Sequence, residues 1–437
     1  MLDFKKELRK RFKNKTICIV GFGREGASTF KILRKIFPDK IIGIADVEKK
    51  QINDKLISTY FGKNYLKNFY DYDVIFRSPG IPVDEIKKFT KKNSKITSQT
   101  KLFFDLCPSI IIGITGTKGK STTASLIHQV LKTQFDSYLI GNIGYPPLDH
   151  LKFLNKNSKI IFELSSHQLS DLHKSPHIAV MLNLFPEHLD YYSSFDEYVE
   201  AKANITKFQT EEDYLVYNSQ DSRVNKIAQS SRAKKIDFSI EEKAILIKDS
   251  PLIGQFNLIN IMPSIIIGRH FKISDKKIIE AVKHFKPLDS RLEKVRQYSG
   301  ITFINDSLAT IPQATIAAIN SLKEEIGSLI VGGFDRGINQ TPLAEAIINS
   351  SIPTVILFPD TGKKIKKIIE KRAKRKINLL EAKSMKQIVK FAFENTETGK
   401  ICLLSPGAAS FNMFRDYKDR GDQFKKAVWD LKTKKST

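Results

Sequence analysis

Short apolar runs rich in Ile and Val alternate along the chain with glycine-punctuated polar loops and stretches of helical periodicity. Strands are predicted at residues 16–20, 41–45 and 74–76, at 110–114, 138–144, 159–164 and 178–184, and at 301–304, 328–331, 354–358 and 400–404. Helical stretches stand among them at 27–36, 124–131, 313–322, 343–349, 362–372 and 385–394. Repeated strand–loop–helix units argue for an α/β fold with mostly parallel sheets, whose functional loops gather at the carboxyl ends of the strands. At 437 residues the chain exceeds one hydrophobic core, and the pattern falls into three α/β segments. No solenoid repeat or low-complexity tract interrupts it.

Two loops carry the strongest chemical signals. The run Ile110-Ile111-Ile112-Gly113-Ile114 enters Thr115-Gly116-Thr117-Lys118-Gly119-Lys120-Ser121-Thr122-Thr123, followed by a helix. This is the layout of a phosphate-binding loop: backbone N–H groups cradle phosphate at a positive helix N-terminus, Lys120 reaches the β/γ-phosphates, and the Ser121 or Thr122 hydroxyl helps to hold Mg²⁺. The strict pattern has Gly where Ile114 stands, and a plain glycine turn would explain the glycines but not the Gly-Lys-Ser after them. Earlier, Gly21-Phe22-Gly23-Arg24-Glu25-Gly26 follows a strand, and Asp46 ends the next one. That is the dinucleotide fingerprint, with Asp46 as the ribose-binding acid. Alone it suggests an NAD-dependent oxidoreductase, although the same turn cradles any pyrophosphate.

Other strand ends place polar groups where a ligand could sit. They are Ser78-Pro79-Gly80, Asn142, Glu163 with Ser165-Ser166-His167-Gln168, and His188 in Phe185-Pro186-Glu187-His188-Leu189-Asp190. A strand-terminal Glu and a downstream His beside a phosphate loop suit Mg²⁺, which takes few protein ligands. Ser194-Phe195-Asp196-Glu197 matches a capping box and opens the helix that carries Lys202. The third segment adds the loops 305–310, 332–337 and 405–411.

Composition narrows the picture. Hydrophobic content of 41% with 27% charged residues describes an ordinary globular chain. The apolar runs are too short to span a membrane, and residues 1–15 are lysine-rich without an apolar stretch, so a cytoplasmic location is expected. Cys18, Cys107 and Cys402 stand singly, without metal or redox spacing. The net charge of +25 is spread over the whole chain, and no basic–aromatic block marks a nucleic-acid surface.

Taken in order, the phosphate loop, Glu163-Leu164-Ser165-Ser166, residues 185–190, Lys202, Gly254-Gln255-Phe256-Asn257-Leu258-Ile259-Asn260, Asp306-Ser307 and residues 405–421 resemble the Mur ligases, the ATP-dependent amide-forming enzymes of peptidoglycan precursor synthesis. The first glycine loop, Ser78-Pro79-Gly80-Ile81 and the stretch from Leu404 to Tyr417 narrow the resemblance to the branch that adds D-glutamate. The resemblance implies a UDP-precursor-binding Rossmann-like domain (1–108), a central ATP-binding domain (109–289) and a Rossmann-like amino-acid-binding domain (290–437). It implies ATP and Mg²⁺ as cofactors, UDP-N-acetylmuramoyl-L-alanine and D-glutamate as substrates, and an acyl-phosphate intermediate. A monomer without nucleic-acid or membrane partners is expected.

Residue by residue, Gly23, Arg24, Glu25, Gly26, Asp46, Ser78, Gly80 and Asn142 would hold the UDP precursor. Gly116, Thr117, Lys118, Gly119, Lys120, Ser121, Thr122, Asn257, Arg291 and Asp306 would bind ATP. Ser121, Glu163, His188 and Lys202 would serve at the metal, with Lys202 carbamylated, and Lys120, Glu163, His188 and Lys202 would be the catalytic set. Thr310, Arg336, Ser410, Phe411 and Tyr417 would form the D-glutamate pocket. The chain departs from the family pattern at Leu308 (often Lys), Ile311-Pro312 (a common Asn), Arg336 (Lys in other members), Ser290 (a frequent His) and Glu187 (often Asp). Competing readings are another Mur-type ligase or folylpolyglutamate synthase, the oxidoreductase above, and a basic nucleic-acid-binding P-loop ATPase. The oxidoreductase leaves the phosphate loop, Lys202 and the third segment unexplained, and the scattered lysines, without an aromatic–basic motif or a helicase-like pattern, count against the nucleic-acid-binding ATPase.

Overall fold

A computed structural model describes residues 4–188, 191–239, 252 and 256–431. The chain divides into two compact units, Met1–Lys248 with Ile259–Lys283, and Asp249–Leu258 with His284–Thr437.

The first unit begins with α1 (Phe4–Phe12), β1 (Ile17–Val20), α2 (Arg24–Ile36), β2 (Ile42–Asp46), β3 (Ile57–Phe61), β4 (Val74–Arg77), α3 (Val83–Lys87), β5 (Lys95–Thr97) and α4 (Gln99–Leu106). Its five strands are parallel in the order β3-β2-β1-β4-β5. The order reverses between β1 and β4, so a crevice opens beyond their carboxyl ends. The first glycine loop follows β1 and the Ser78–Gly80 turn follows β4, and both flank that switch point.

A second sheet of the same unit follows: β6 (Ile110–Thr115), α5 (Lys120–Leu131), β7 (Ser137–Gly141), α6 (Pro147–His150), β8 (Lys159–Glu163), α7 (Ser166–Leu169), β9 (Ile178–Met181), α8 (Phe195–Lys207), β10 (Tyr214–Asn218), α9 (Ser222–Ser230) and β11 (Lys234–Phe238). The helices α10 (Phe256–His270) and α11 (Asp275–Lys283) come next. The strands are parallel in the order β11-β10-β9-β6-β8-β7. Ile114 pairs with both Glu163 and Val180, which brings the phosphate loop, Glu163 and the segment after β9 to one edge. One apolar cluster, including Ile19, Phe76, Phe103, Phe162 and Met181, runs continuously behind both sheets.

The second unit contains β12 (Glu293–Tyr298), β13 (Ile301–Asn305), α12 (Pro312–Leu322), β14 (Ile326–Gly333), α13 (Thr341–Ile348), β15 (Thr354–Asp360), α14 (Thr361–Arg372), β16 (Asn378–Glu381), α15 (Met385–Asn395), β17 (Ile401–Leu404) and α16 (Tyr417–Trp429). The sheet order is β12-β13-β17-β14-β15-β16, parallel except for the antiparallel β12 edge. Separate apolar layers cover its two faces.

The expected elements are present, with boundaries that differ for physical reasons. Both glycine-loop helices begin before their apolar periodicity does, α2 at Arg24 and α5 at Lys120. Their first turns carry glycine or polar residues, so the helical backbone there leaves no hydrophobic trace. The strand predicted over 138–144 stops at Gly141, whose φ of +102° turns the chain. The capping box at Ser194 is only half made: Ser194 accepts from the Glu197 N–H, but the Glu197 carboxylate binds Ser193 instead. A complete box stands at Ser165, reciprocated by Gln168. Gly254, Gln255, Leu189, Asp190 and the basic end 432–437 lie outside the described residues. Among the described residues, no helix is long and apolar enough to cross a membrane.

Candidate active site

Residues of both sheets of the first unit line a cavity of 540 Å³. From the first sheet come Gly23, Arg24, Glu25, Ser78 and Gly80; from the second come Lys120, Asn142, His167, Gln168, Glu187, His188 and Lys202. Most of the expected precursor-binding and catalytic residues therefore line one cavity. Asp46, Glu163 and Gly26 are not among the lining residues; Glu163 is bonded to the lining Asn142, and Gly26 lies in the first turn of α2.

The first loop is shaped by close backbone approach. A Cβ at Gly26 would lie 2.1 Å from the Gly21 carbonyl oxygen, so only glycine lets α2 pack back on the turn. Asp46 Oδ2 accepts from the Phe22 N–H at 2.6 Å and Oδ1 from the Glu48 N–H at 2.9 Å; in this structure its carboxylate fixes the loop itself. Arg24 donates to the Gly141 carbonyl at 3.0 Å and Glu25 accepts from Gln168 Nε2 at 3.0 Å, joining this loop to the second sheet. Burial pushes the Glu25 carboxyl above its usual range. Ser78 Oγ donates to the Gly21 carbonyl at 2.8 Å.

The second loop is clasped by Asn183, a residue the sequence reading passed over. Its carbonyl accepts from Thr117 N–H at 2.8 Å, its Oδ1 from Lys118 N–H at 2.8 Å, and its Nδ2 donates to the Lys118 carbonyl at 3.0 Å. Its position just past a buried apolar strand, beside a glycine loop, was the available signal. Gly119 has φ +88°, and a Cβ there would lie 2.0 Å from Asn260 Oδ1. It precedes α5 without any side-chain cap, so the N–H groups of the first turn face outward for an anion. Lys120 Nζ folds over the loop and donates to the Gly116 and Thr117 carbonyls, both at 2.9 Å. Lys118 pairs with Glu187 at 2.6 Å. Burial alone would raise the Glu187 carboxyl, but Lys118 overrides it and holds it below its usual range. Ser121 is half-buried, whereas the Thr122 hydroxyl is buried without a hydrogen bond among the described residues.

Lys202, on α8, has only 1% of its surface exposed. Its amine donates to the Gly116 carbonyl at 2.9 Å and lies 4.8 Å from the Tyr198 ring centre. Burial, reinforced by nearby Lys120, lowers its pKa well below that of ordinary lysine, although Glu187 and Glu163 act the other way. Glu163 is equally buried. Its Oε1 accepts from Asn142 Nδ2 at 2.9 Å, while Oε2 has no hydrogen bond among the described residues. His188 adopts φ +58°, a conformation that L-residues rarely take outside functional or tight-turn positions, and its ring meets His167 edge-on at 4.8 Å.

In the second unit, Asp306 Oδ2 accepts from Ser405 Oγ at 2.7 Å and Oδ1 from the Leu292 N–H at 3.3 Å. Arg291, which precedes Leu292, is half-buried, and Asn257 is buried in the first turn of α10. Phe334 and Phe411 are exposed and meet at 6.3 Å, with the Arg336 guanidinium 5.3 Å from the Phe411 ring centre. The adjacent Ser410 is buried, Thr310 precedes α12, and Tyr417 opens α16. Arg420, another residue given no role by the sequence, is fully buried and donates to Ser307 Oγ and to the carbonyls of Ser307 and Ala408 at 2.9–3.0 Å. It pins the loops after β13 and β17 together, and burial pushes its pKa down to about 9.

Comparison with known proteins gives the family. Residues 114–268 match the Mur ligase middle domain and residues 290–407 the Mur ligase, glutamate ligase domain. The chain is 32% identical to a UDP-N-acetylmuramoylalanine–D-glutamate ligase of Acetivibrio thermocellus, covering 97% of this chain and 98% of that protein. It is 33% identical to the protein of the same name from Clostridium botulinum, over 96% and 97% of the two chains. A MurF ligase from Thermotoga maritima, crystallised with ADP, shares the fold with a TM-score of 0.62 and 16% identity over 95% of this chain and 96% of that one. The strand ends that build the cavity, the two matched domains and the near-complete coverage lead to one conclusion: the chain belongs to the Mur ligase family.

Proposed function

We propose that this protein is an ATP-dependent amide ligase that adds D-glutamate to UDP-N-acetylmuramoyl-L-alanine, in the cytoplasm where ATP is supplied. The observation that carries this reading is the shared cavity: the diphosphate-type loops of the first sheet and Lys120, His188 and Lys202 of the second face one space. A sugar diphosphate anchored at Gly23–Glu25 and Ser78–Gly80 would extend its free carboxylate toward a triphosphate seated on the Gly116–Lys120 loop. The names of the two ligase relatives support the same substrates.

In the first step a carboxylate oxygen attacks the γ-phosphorus and ADP leaves, giving an acyl phosphate. The D-glutamate amine then attacks the acyl carbon, loses a proton, and expels phosphate as the amide forms. Lys120 and the uncapped α5 N-terminus would hold the phosphoryl charge, and the enclosing loops would fix the acceptor in line. In the second unit, Arg336 over Phe411 would pair a glutamate carboxylate bidentately.

The site suits Mg²⁺. Glu163 Oε2 is buried and without a hydrogen bond among the described residues, and Ser121 stands in the first turn of α5. No three His, Cys, Asp or Glu side chains converge among the described residues, so phosphate oxygens and water would supply most ligands, as Mg²⁺ prefers. Glu163, His188 and Ser121 would hold it, and it would neutralise charge on the transferring phosphoryl group. The lowered basicity of Lys202 favours its neutral amine, which can attack CO₂ and lose a proton to become a carbamate. That step would turn a buried would-be cation into a further oxygen ligand.

The test is phosphate release with Mg-ATP and UDP-N-acetylmuramoyl-L-alanine, comparing D-glutamate, L-glutamate and a panel of other amino acids, with the product mass recorded. Release that requires D-glutamate, together with the amide mass, is expected. Release with another amino acid would keep the ligase and move its specificity to Leu308 and Arg336.

A further inference from the structure

The reaction scheme gives no role to Arg77, a residue whose side chain is 1% exposed at the end of β4. Its guanidinium grips Asp171 bidentately, Nη2 to Oδ1 at 2.6 Å and Nε to Oδ2 at 3.2 Å. Nη1 donates to the carbonyls of Pro79 at 2.9 Å and Ile81 at 3.0 Å, and Nη2 also donates to the His167 carbonyl at 3.0 Å. Asp171 follows α7 in the second sheet and is held from its other side by Lys101 of α4 at 2.8 Å. One planar fork therefore fixes two chain segments, the Ser78–Gly80 turn and the turn at His167, both of which line the cavity.

A buried ion pair adds little to stability over an apolar substitute, whereas its geometry can fix a unique arrangement. Here all five N–H donors of the fork are engaged, two with Asp171 and three with the loop carbonyls of Pro79, Ile81 and His167. We propose that Arg77 is a positioning residue for the UDP precursor: it sets the spacing between the turn after β4 and the His167 turn, so that the diphosphate sugar meets both at once. This rests on the ligase reading above. Asp171 is the partner that orients the fork. Burial would raise its carboxyl, but the Arg77 hydrogen bonds and charge, with Lys101, hold it below the usual range.

Lysine keeps the charge at this place but cannot reproduce the planar fork. In the full-length enzyme, Arg77→Lys is expected to raise the precursor KM about tenfold, with the ATP KM changed less than about twofold. Calorimetric precursor binding without ATP should weaken by the same factor. The near-isosteric Asp171→Asn should show the same split at about threefold, and it decides the matter if Arg77→Lys does not fold. A folded variant whose precursor KM and affinity are unchanged, or whose ATP KM rises in step, would overturn the assignment. A wild-type enzyme that turns over no UDP precursor would overturn the ligase reading instead, so the two failures are distinguishable.

Discussion

The two glycine loops of the first unit share one backbone device and surround it with different side chains. Each follows a buried strand, each needs glycine where an added Cβ would lie within about 2 Å of a backbone or side-chain oxygen, and each runs into a helix without a side-chain cap. Their side chains differ. The first loop is held by the Asp46 carboxylate, and its charged residues Arg24 and Glu25 are turned toward the second sheet. The second loop is surrounded by Lys118, Lys120 and Lys202, whose charges are offset by Glu187, folded onto carbonyls, or suppressed by burial. In the function proposed above, the glycines make a phosphate cradle, and the neighbouring charges would decide whether it anchors a substrate or drives phosphoryl transfer. The first loop carries one cation, Arg24, turned to the Gly141 carbonyl, whereas three lysines stand about the second.

The largest test of that contrast is Lys120→Ala, expected to lower kcat about 10³-fold or more with the melting temperature little changed. Retained turnover would mean that the second cradle is not the phosphoryl site. Lys202→Ala should cost about 10²-fold, with part of the activity restored by added short carboxylic acids. The same residue makes a pH prediction. Its folded pKa lies below its unfolded value, so the cost of burying the ammonium is present at low pH and relieved as pH rises through the folded value toward the ordinary lysine range. In bicarbonate-free buffer, wild-type stability should therefore rise with pH relative to Lys202→Met, and a constant difference between their thermal midpoints would contradict the buried amine.

Gly26→Ala probes the other cradle. Its Cβ would meet the Gly21 carbonyl, so a loss of about 1–3 kcal/mol of stability is expected, with a raised precursor KM and an unaltered ATP KM. Asp46→Asn should have the smallest effect, about 1 kcal/mol by denaturant unfolding, because an amide oxygen can still accept from Phe22. A collapse of precursor binding in this variant would show that Asp46 touches the ligand directly.

The α/β architecture was legible because central strands are buried on both faces and read as continuous apolar runs. The strands not anticipated are mostly at or near sheet edges. Glu293–Tyr298, Asn378–Glu381 and Ile57–Phe61 are half-exposed and polar enough to lack an apolar run. Loop residues at strand ends were legible as candidates. The residues that hold those loops were not, since Asn183, Arg77, Asp171 and Arg420 act through hydrogen bonds to distant carbonyls that no local spacing encodes. Lys202 shows the limit in one residue: its sequence context is that of a surface helix, and only tertiary packing makes its amine buried.

The central claim is that both cradles serve one acyl-phosphate reaction in one cavity. Precursor labelled with ¹⁸O in its free carboxylate tests this directly, because the oxygen that attacks the γ-phosphorus leaves with phosphate when the amide forms. With Mg-ATP and D-glutamate, the account predicts inorganic phosphate carrying one ¹⁸O for each amide made from fully labelled carboxylate. Unlabelled phosphate accompanying amide formation would contradict it.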